Sequence, residues 1–504
     1  MSNDVEKRKK AVINWLKKPT NLLLVLIIIF GLFLRIHYWN VTEDQAIWWD
    51  EAEYMSAAKK WAFGVPYNLN PQRPPLFQFL SSIIFMSGLG ESIIKLFLVV
   101  APSAFLILSI YLLGEELYNK KIGLIAAFLS AVSWSFLFWT ARIQPDFLSM
   151  SFQVLAILFM WKFWKNKKPQ SIIWAGIFSA AGFYFKVSAL LVPMSFVLFI
   201  LIKDRFSAIK NKNYYIYSAS FLLTLVPYFI WSYLSFGTLT AFKSGYSNAL
   251  ISSMPVPFGW YNLQFFYTLT QNVFFALFII GIILGLKFLL YVDVLIKEKK
   301  KCFDPDIFGF IVLVVVASFY IFYIRGTEDR WVFLWLPFIF FFMGKTIMFI
   351  YENVKKYGKW ISVVLCIGLL VWGGYGNLTR ADDLIKGKIS SYAQVKDSGI
   401  WIKENSEKDD LVWSLSMTQH TYYTERNVSN YNAPIETSEE FDEFVMLNRP
   451  RYIVASIFEP VNTPWLNEWV ELNQDKVTVR KVYFADSAQT QAVLIIYEIN
   501  YANY

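Results

Sequence analysis

The sequence predicts a mainly α-helical membrane protein with many spans, followed by a small α/β domain. Hydrophobic residues make up 56% of the 504-residue chain and aromatic residues 19%, well outside the composition of soluble globular domains. Apolar runs of about 20 residues, the length that crosses a bilayer as a helix, recur as far as residue 378. Beyond residue 380 the composition becomes that of a soluble domain.

Eleven apolar runs are long enough to be predicted as transmembrane helices. They cover residues 20–38, 91–114, 121–141, 146–164, 170–186, 187–203, 214–235, 263–290, 306–324, 331–350 and 360–378. A twelfth run, Leu76–Leu89, lies between a Pro-Pro pair and a Gly-rich turn and would reach only about 20 Å as a helix. We therefore predict that this run is an interfacial or re-entrant helix.

The basic clusters support this count of spans. With eleven spans, the Lys/Arg clusters all fall on one side of the membrane, which the positive-inside rule identifies as the cytoplasm. These clusters lie at the N-terminus and at residues 120–121, 162–168, 203–212, 297–301 and 355–359. The N-terminal cluster precedes an apolar run without a small-residue cleavage site, so a retained signal anchor with a cytoplasmic N-terminus in the cell (plasma) membrane is predicted.

Two domains follow from this topology. Residues 1–380 form a predicted transmembrane domain, with the first outer loop at residues 39–90. Residues 381–504 carry 11 Lys/Arg against 19 Asp/Glu and form a predicted extracytoplasmic α/β domain. Its predicted helices are Tyr392–Asn405 and Ser438–Asn448, and its predicted strands are Leu411–Leu415, Tyr452–Ser456, Val477–Phe484 and Ala492–Ile499.

Composition excludes several classes of function. The basic residues sit in short clusters beside apolar runs and orient the membrane helices, so they do not indicate nucleic-acid binding. Cys302 and Cys366 have neither disulfide nor metal-knuckle spacing. The two histidines, His37 and His420, supply few nitrogen ligands for zinc. No cofactor is indicated, although a divalent cation held by carboxylates alone stays open.

A paired carboxylate, Asp50-Glu51, is the main candidate for chemistry. The pair follows Trp48-Trp49 in the first outer loop, where aromatic residues mark the membrane interface. One interpretation is catalytic. The other is that these acids solvate the loop and cap a helix over residues 52–63, where Asp50 would suit the positive N-terminal end.

Basic residues on the same predicted outer side favour the catalytic interpretation. They are Arg73, Arg142, Lys186, Arg325 and Arg330. A guanidinium group can grip phosphate oxygens bidentately, and an ammonium group supplies a point charge. Arg73 or Lys186 alone is more often a boundary residue that extends toward the headgroups, but several such cations beside an acidic pair predict an anionic substrate.

Several short motifs together resemble a known family. They are Asp50-Glu51-Ala52 with Tyr54, Arg73-Pro74-Pro75-Leu76, Asp146 after the third span, Phe185-Lys186-Val187, and Arg330 followed by Leu336-Pro337. The pattern resembles the GT-C superfamily of polyprenyl-phosphate-dependent glycosyltransferases, in particular the protein mannosyltransferase and aminoarabinose transferase-like families. The resemblance extends to the C-terminal domain through Trp401-Ile402 and Tyr422-Tyr423.

The resemblance implies inverting transfer of a sugar from dolichyl or undecaprenyl phosphate to an acceptor hydroxyl on protein, lipid or glycan. Asp50 matches the family's first-loop aspartate and is the expected general base, with Glu51 orienting or replacing it. Asp146 matches a second acidic position that binds acceptor or sugar, while an N-cap role for it is an equal alternative. The remaining expected substrate-binding residues are Tyr54, Arg73, Arg142, Lys186 and Arg330. Gln72 replaces a glutamate that some relatives use near a metal, which argues against zinc.

Two other functions compete with this one. An enzyme that transfers an oligosaccharide or ligates glycans would use the same outer acids. A lipid-linked glycan flippase or transporter would place ionisable groups near the membrane midplane and often shows paired halves. The charges here gather at one face and no two halves resemble each other, which favours an enzyme. The sugar and the acceptor stay open.

Overall fold

The chain divides into two compact units in the computed structural model. The structure describes residues 6, 14–243, 259–291, 303–324, 327–431, 435–459, 463–486 and 488–503. The helical unit comprises Met1–Val41, Pro71–Leu76 and Ile94–Lys386. The α/β unit comprises Thr42–Asn70, Phe77–Ile93 and Gly387–Tyr504.

Helices, most of them long and apolar, make up the first three quarters of the chain. In order they are α1 Pro19–Val41, α2 Trp49–Phe63, α3 Leu76–Met86, α4 Glu91–Leu117, α5 Lys120–Val132, α6 Trp134–Thr140, α7 Asp146–Asn166, α8 Pro169–Phe183, α9 Val187–Lys210, α10 Lys212–Phe236, α11 Trp260–Thr270, α12 Asn272–Gly285, α13 Asp304–Ile324, α14 Trp335–Val354 and α15 Lys359–Lys386. Among the described residues, eight helices are long and apolar enough to cross a membrane, or ten if α5–α6 and α11–α12 each count as one bent span.

The prediction of a polytopic helical membrane protein is confirmed. Each of the eleven predicted spans coincides with a helix or a bent pair of helices. The shortest of them, α8, has 15 residues and is about 22 Å long, less than the roughly 30 Å of a hydrocarbon core. The run predicted at Leu76–Leu89 forms the separate 11-residue helix α3, and its place at an interface stays a prediction.

A fully buried arginine stabilises the 50° bend between α5 and α6. Arg35 of α1 donates from its guanidinium group to the carbonyls of Ser130 and Ala131 at 3.2 and 3.3 Å, and to the Ser103 hydroxyl at 2.7 Å. The last carbonyls of a helix lack hydrogen-bond donors within it, and the Arg35 guanidinium supplies donors to two of them. The bend directs α6 toward residues 141–146, which lead into α7.

The α/β unit contains a mixed sheet of strands β1 Leu411–Ser414, β2 Asn427–Ser429, β3 Tyr452–Ser456, β4 Val477–Phe484 and β5 Ala492–Ile499. Their order is β2-β1-β3-β5-β4 within the described residues. The β1–β2 and β1–β3 pairs are parallel, whereas β5 pairs antiparallel with β3 and β4. The helices of this part are α16 Ala393–Glu404, α17 Met417–Thr424, α18 Ser438–Asn448 and α19 Pro464–Leu472.

Both faces of the sheet are covered. Trp413 of β1 packs with Phe441 of α18 and Trp469 of α19 on one face. Its neighbour Val412 packs with Ile402 of α16 on the other. Alternate residues of a strand point to opposite faces, so a central strand covered by helices on both sides is apolar throughout.

The first loop groups differently from the predicted domains. The prediction assigned residues 39–90 to the transmembrane domain, but residues 42–70 and 77–93 fold with residues 387–504. The small side chains of Ala52, Ala57 and Ala58 are almost completely buried on α2. Small side chains let neighbouring elements approach a helix closely, which explains how α2 packs inside the α/β unit despite its polar sequence.

Candidate active site

Three of the predicted substrate-binding residues line one cleft in the helical unit. Asp146 begins α7, Lys186 lies in the extended link between α8 and α9, and Arg330 lies on the short 3₁₀ turn Asp329–Val332. About 310 Å³ of space, open solvent included, lies within the cleft. Its other lining residues are Met150, Gln153, Ser188, Leu191, Trp331, Phe333 and Leu334. Two cations and a carboxylate therefore converge on one small cavity.

Asp146 is nearly buried and pairs with Lys186. The Lys186 ammonium donates to Asp146 Oδ1, while the buried Oδ2 accepts no hydrogen bond from the described residues. The N-cap of α7 is Pro145, so the capping alternative for Asp146 is wrong. As the first helical residue, Asp146 instead lies at the positive end of the helix dipole.

Arg330 is held from three sides. Its Nε lies 2.8 Å from Glu328 Oε1, and its guanidinium carbon lies 4.8 Å from the ring centroid of Trp139. The indole Nε1 of Trp139 lies 3.1 Å from each carboxylate oxygen of Asp329. The Arg330 backbone N–H donates to the same carboxylate at 2.9 Å. Burial raises the pKa of Asp329. An indole face is a favourable platform for a guanidinium group.

The other predicted cations are placed differently. Arg142 is 3% exposed in the segment between α6 and α7, and Arg73 is half-buried in the segment Pro71–Leu76. A backbone hydrogen bond of 3.3 Å from Leu76 to Tyr184 ties this segment to the end of α8. Neither arginine is among the residues that line the cleft. Arg325 and Cys302 lie outside the described residues.

The acidic pair lies at the start of α2 in the α/β unit. Glu51 is 2% exposed, and its Oε2 accepts the Trp48 backbone N–H at 2.5 Å. The structure therefore gives a capping role to Glu51. Asp50 lies partly exposed in the first turn. The buried Tyr54 packs edge-on against Phe77, with ring centroids 5.4 Å apart.

The sequence interpretation missed the parts played by Asp329 and Trp139. Both were visible as residues of outer turns or span ends, yet nothing in their spacing indicates that a residue 190 positions away accepts the indole N–H. Among the described residues, no group of three or more His, Cys, Asp or Glu could hold a metal ion. His420 is fully buried between Ser398 and Ser414, which makes it a packing residue.

A sequence family matches part of the chain. Residues 72–231 match the model of the dolichyl-phosphate-mannose-protein mannosyltransferase family. The matched range is less than half of the chain, and it includes Arg73, Arg142, Asp146 and Lys186. No curated protein matches the chain significantly by sequence.

Several solved structures share the fold. The oligosaccharyltransferase of Archaeoglobus fulgidus in the apo form matches with a TM-score of 0.66 and 14% identity over 88% of this chain and 70% of that chain. ArnT from Cupriavidus metallidurans bound to undecaprenyl phosphate matches with a TM-score of 0.64 and 12% identity over 93% and 97%. The A. fulgidus oligosaccharyltransferase AglB, in complex with an inhibitory peptide and a dolichol-phosphate, matches with a TM-score of 0.62 and 13% identity over 97% and 75%.

Fold and family match together define the class. The chain has the GT-C fold of multi-pass membrane glycosyltransferases. Within that class, its segment 72–231 is similar to the dolichyl-phosphate-mannose-protein mannosyltransferases.

Proposed function

We propose that this protein transfers a sugar from a polyprenyl-phosphate donor to an acceptor hydroxyl on protein, lipid or glycan. The observation that carries the proposal is the cleft in which Lys186 and Arg330 flank the buried Asp146. Breaking a glycosyl phosphate bond leaves negative charge on phosphate oxygens, and preorganised cations stabilise that charge. The similar ArnT structure, matched over 97% of its length, is bound to undecaprenyl phosphate.

The proposed reaction is a single displacement with inversion at the anomeric carbon. The acceptor oxygen attacks C1 of the sugar, and Asp50 takes the proton that this oxygen loses. The C1–O bond to the phosphate breaks, and its electron pair leaves on the polyprenyl phosphate, which Lys186 and Arg330 neutralise. Asp146 orients Lys186 through their ion pair and is a further proposed binding residue for sugar or acceptor. Arg73, Arg142 and Tyr54 are further proposed substrate-binding residues, and Glu51 fixes the start of α2.

A second candidate is oligosaccharide transfer. The matches to the A. fulgidus oligosaccharyltransferase favour it, since their TM-scores equal that of ArnT within a few hundredths. The two candidates differ in the expected donor, a monosaccharide on a lipid monophosphate against an oligosaccharide on a lipid pyrophosphate. A flippase would move either donor across the bilayer without breaking a bond.

The proposed location is the cell membrane, with a cytoplasmic N-terminus and an extracytoplasmic α/β unit. The support is the positive-inside rule, since Lys120-Lys121 and residues 162–168 and 355–359 fall on one predicted side. Single cysteines placed at Lys168 and at Lys476 of a chain without Cys302 and Cys366 would test it. Only the second should react with a membrane-impermeant maleimide on intact cells.

The proposed function is tested by following the carrier lipid. Purified protein in liposomes, with an extract of the host cells as the source of acceptor, is given a monosaccharide on polyprenyl monophosphate or an oligosaccharide on polyprenyl pyrophosphate. The released carrier lipid is measured by mass spectrometry. Release of polyprenyl monophosphate from the first donor, lost in Lys186→Met, is the expected result. Release from the pyrophosphate donor alone would establish the second candidate. Comparing glycoconjugates from cells with and without the gene would then identify sugar and acceptor.

A further inference from the structure

The helix that carries Asp50 is bound within the α/β unit by a largely buried lysine. Lys59 lies about two and a half turns after Asp50 on α2, and its side chain is 13% exposed. Its ammonium donates to Glu425 Oε1 at 2.8 Å and to the Tyr422 carbonyl at 3.1 Å. The ammonium also lies 3.9 Å from the centroid of the Tyr422 ring. A lysine is rarely buried unless its charge is paired, so this side chain is held specifically.

The partners of Lys59 are themselves fixed. Glu425 also pairs with Lys403 of α16 at 2.7 Å. Burial would raise the pKa of Glu425, but the ammonium groups of Lys403 and Lys59 hold that pKa below its ordinary value. The Tyr422 hydroxyl donates to Glu91 Oε1 at 2.6 Å. The network therefore connects α2, α16, α17 and the start of α4 through charged groups.

A second contact fastens the other end of α2. The Ile47 backbone N–H, two residues before the helix begins, donates to the Tyr423 hydroxyl at 2.9 Å. Tyr422 and Tyr423 are neighbours on α17, and both are buried. Asp50 and Lys59 are about 13 Å apart along the helix. Two adjacent tyrosines thus contact α2 near its C-terminal end and the chain just before its start.

We infer that Lys59 is a positioning residue for the transfer reaction and that the C-terminal α/β segment serves catalysis by holding α2, and with it Asp50, in place. The inference rests on the proposed function, in which Asp50 is the base. A general base acts only when it lies within hydrogen-bond reach of the proton it removes. Loosening the helix should therefore slow the chemical step and leave the binding of the lipid donor unchanged.

Two substitutions test this role with matched controls. Lys59→Met removes the charge and keeps the aliphatic stem, and Tyr423→Phe removes only the hydroxyl that accepts the Ile47 N–H. Lys476→Met removes a lysine that pairs with Asp442 at 3.6 Å within the same unit. Tyr452→Phe removes a hydroxyl that donates to the Asn405 carbonyl at 2.7 Å. The controls thus change the same chemistry at sites inside the C-terminal segment.

The measurements are kcat and donor KM in liposomes and hydrogen–deuterium exchange of residues 49–63. We expect Lys59→Met and Tyr423→Phe to lower kcat about tenfold, since small misplacements of a catalytic group are costly, with unchanged donor KM and faster exchange in α2. Lys59→Arg should restore part of kcat. Both controls should keep wild-type kcat.

Wild-type kcat in Lys59→Met and Tyr423→Phe would overturn the positioning role while the proposed function stands. A fall in kcat without faster exchange in α2 would overturn it as well, because the loss would then have another cause. A wild-type protein that transfers no sugar from a polyprenyl monophosphate donor would overturn the proposed function, and this role with it. The hydrogen–deuterium exchange rate of α2 reports how firmly the helix is held, and it does so independently of activity.

Discussion

The indole N–H of Trp139 is shared between the two carboxylate oxygens of Asp329, at 3.1 Å from each. Arg330, the next residue after Asp329, stacks its guanidinium group on the same indole ring. The buried carboxylate therefore orients the ring, and the ring supports the cation that lines the cleft. Ser135 donates to Asp329 from the opposite end of α6 at 3.2 Å, which anchors the arrangement to the helix.

This arrangement predicts an effect of Trp139 on donor affinity. Trp139→Leu should raise the donor KM about fivefold, because a cation–π contact is worth about 1 kcal/mol, and Trp139→Phe should raise it less. Steady-state kinetics with a polyprenyl-phosphate donor in liposomes would measure both. Phe138→Leu, which replaces the aromatic residue just before Trp139 in the chain, is the control. Equal donor KM in Trp139→Leu and wild type would show that the indole does not support a donor-binding arginine.

The acidic pair should separate into a chemical and a structural member. Asp50→Asn should abolish sugar transfer and leave thermal stability unchanged, because it removes a base without changing the volume. Glu51→Gln should keep most of the activity and lower the free energy of unfolding by about 1 kcal/mol, the usual cost of a weakened helix cap. Transfer assays and thermal unfolding in detergent test both. Full activity in Asp50→Asn would remove that carboxylate from the mechanism.

The reach of the sequence can be judged from particular elements. Hydropathy located the spans. In the C-terminal segment, four elements match the predicted bounds at both ends, and the first strand ends one residue earlier than predicted, at Ser414. The four are Ser438–Asn448, Tyr452–Ser456, Val477–Phe484 and Ala492–Ile499. These elements have strong periodic patterns. The three-residue strand β2 and the polar helix α17 were not predicted, because neither has an apolar periodicity long enough to detect.

The candidate site also divides into residues that the sequence grouped correctly and contacts that it did not indicate. The predicted side of the membrane was enough to group Asp146, Lys186 and Arg330, which the structure brings to one cleft. The ion pair of Lys59 and Glu425 joins residues 366 positions apart, and a single lysine on a polar helix carries no sign of such a partner. Contacts between distant segments depend on tertiary packing, and local patterns do not encode them.

The ion pair of Lys186 and Asp146 in the cleft should contribute both to protein stability and to donor turnover. Lys186→Met leaves Asp146 buried without its cation, and breaking such a pair should cost about 2 kcal/mol, less than the usual buried value because Lys186 is one-fifth exposed. The double variant with Asp146→Asn should recover most of this stability but not donor turnover, since the cation is still missing. Thermal unfolding and donor kinetics of the single and double variants measure the coupling. Additive losses of stability would show that the two side chains act independently.

His420 predicts a pH-dependent stability of the α/β unit. Burial lowers its pKa to about 4 from an ordinary 6.5, with Ser398 Oγ at 2.9 Å from Nε2 and Ser414 Oγ at 2.7 Å from Nδ1. Below pH 6.5 the unfolded chain binds a proton that the folded unit excludes, so stability present above pH 6.5 is lost as the pH falls toward 4. The loss at pH 5 should be about 2 kcal/mol. Pulse proteolysis of the full chain in urea at pH 7.5 and 5 measures it. His420→Asn should reduce that difference by about the same amount, because asparagine does not titrate, and an unchanged difference would assign the acid sensitivity to other groups.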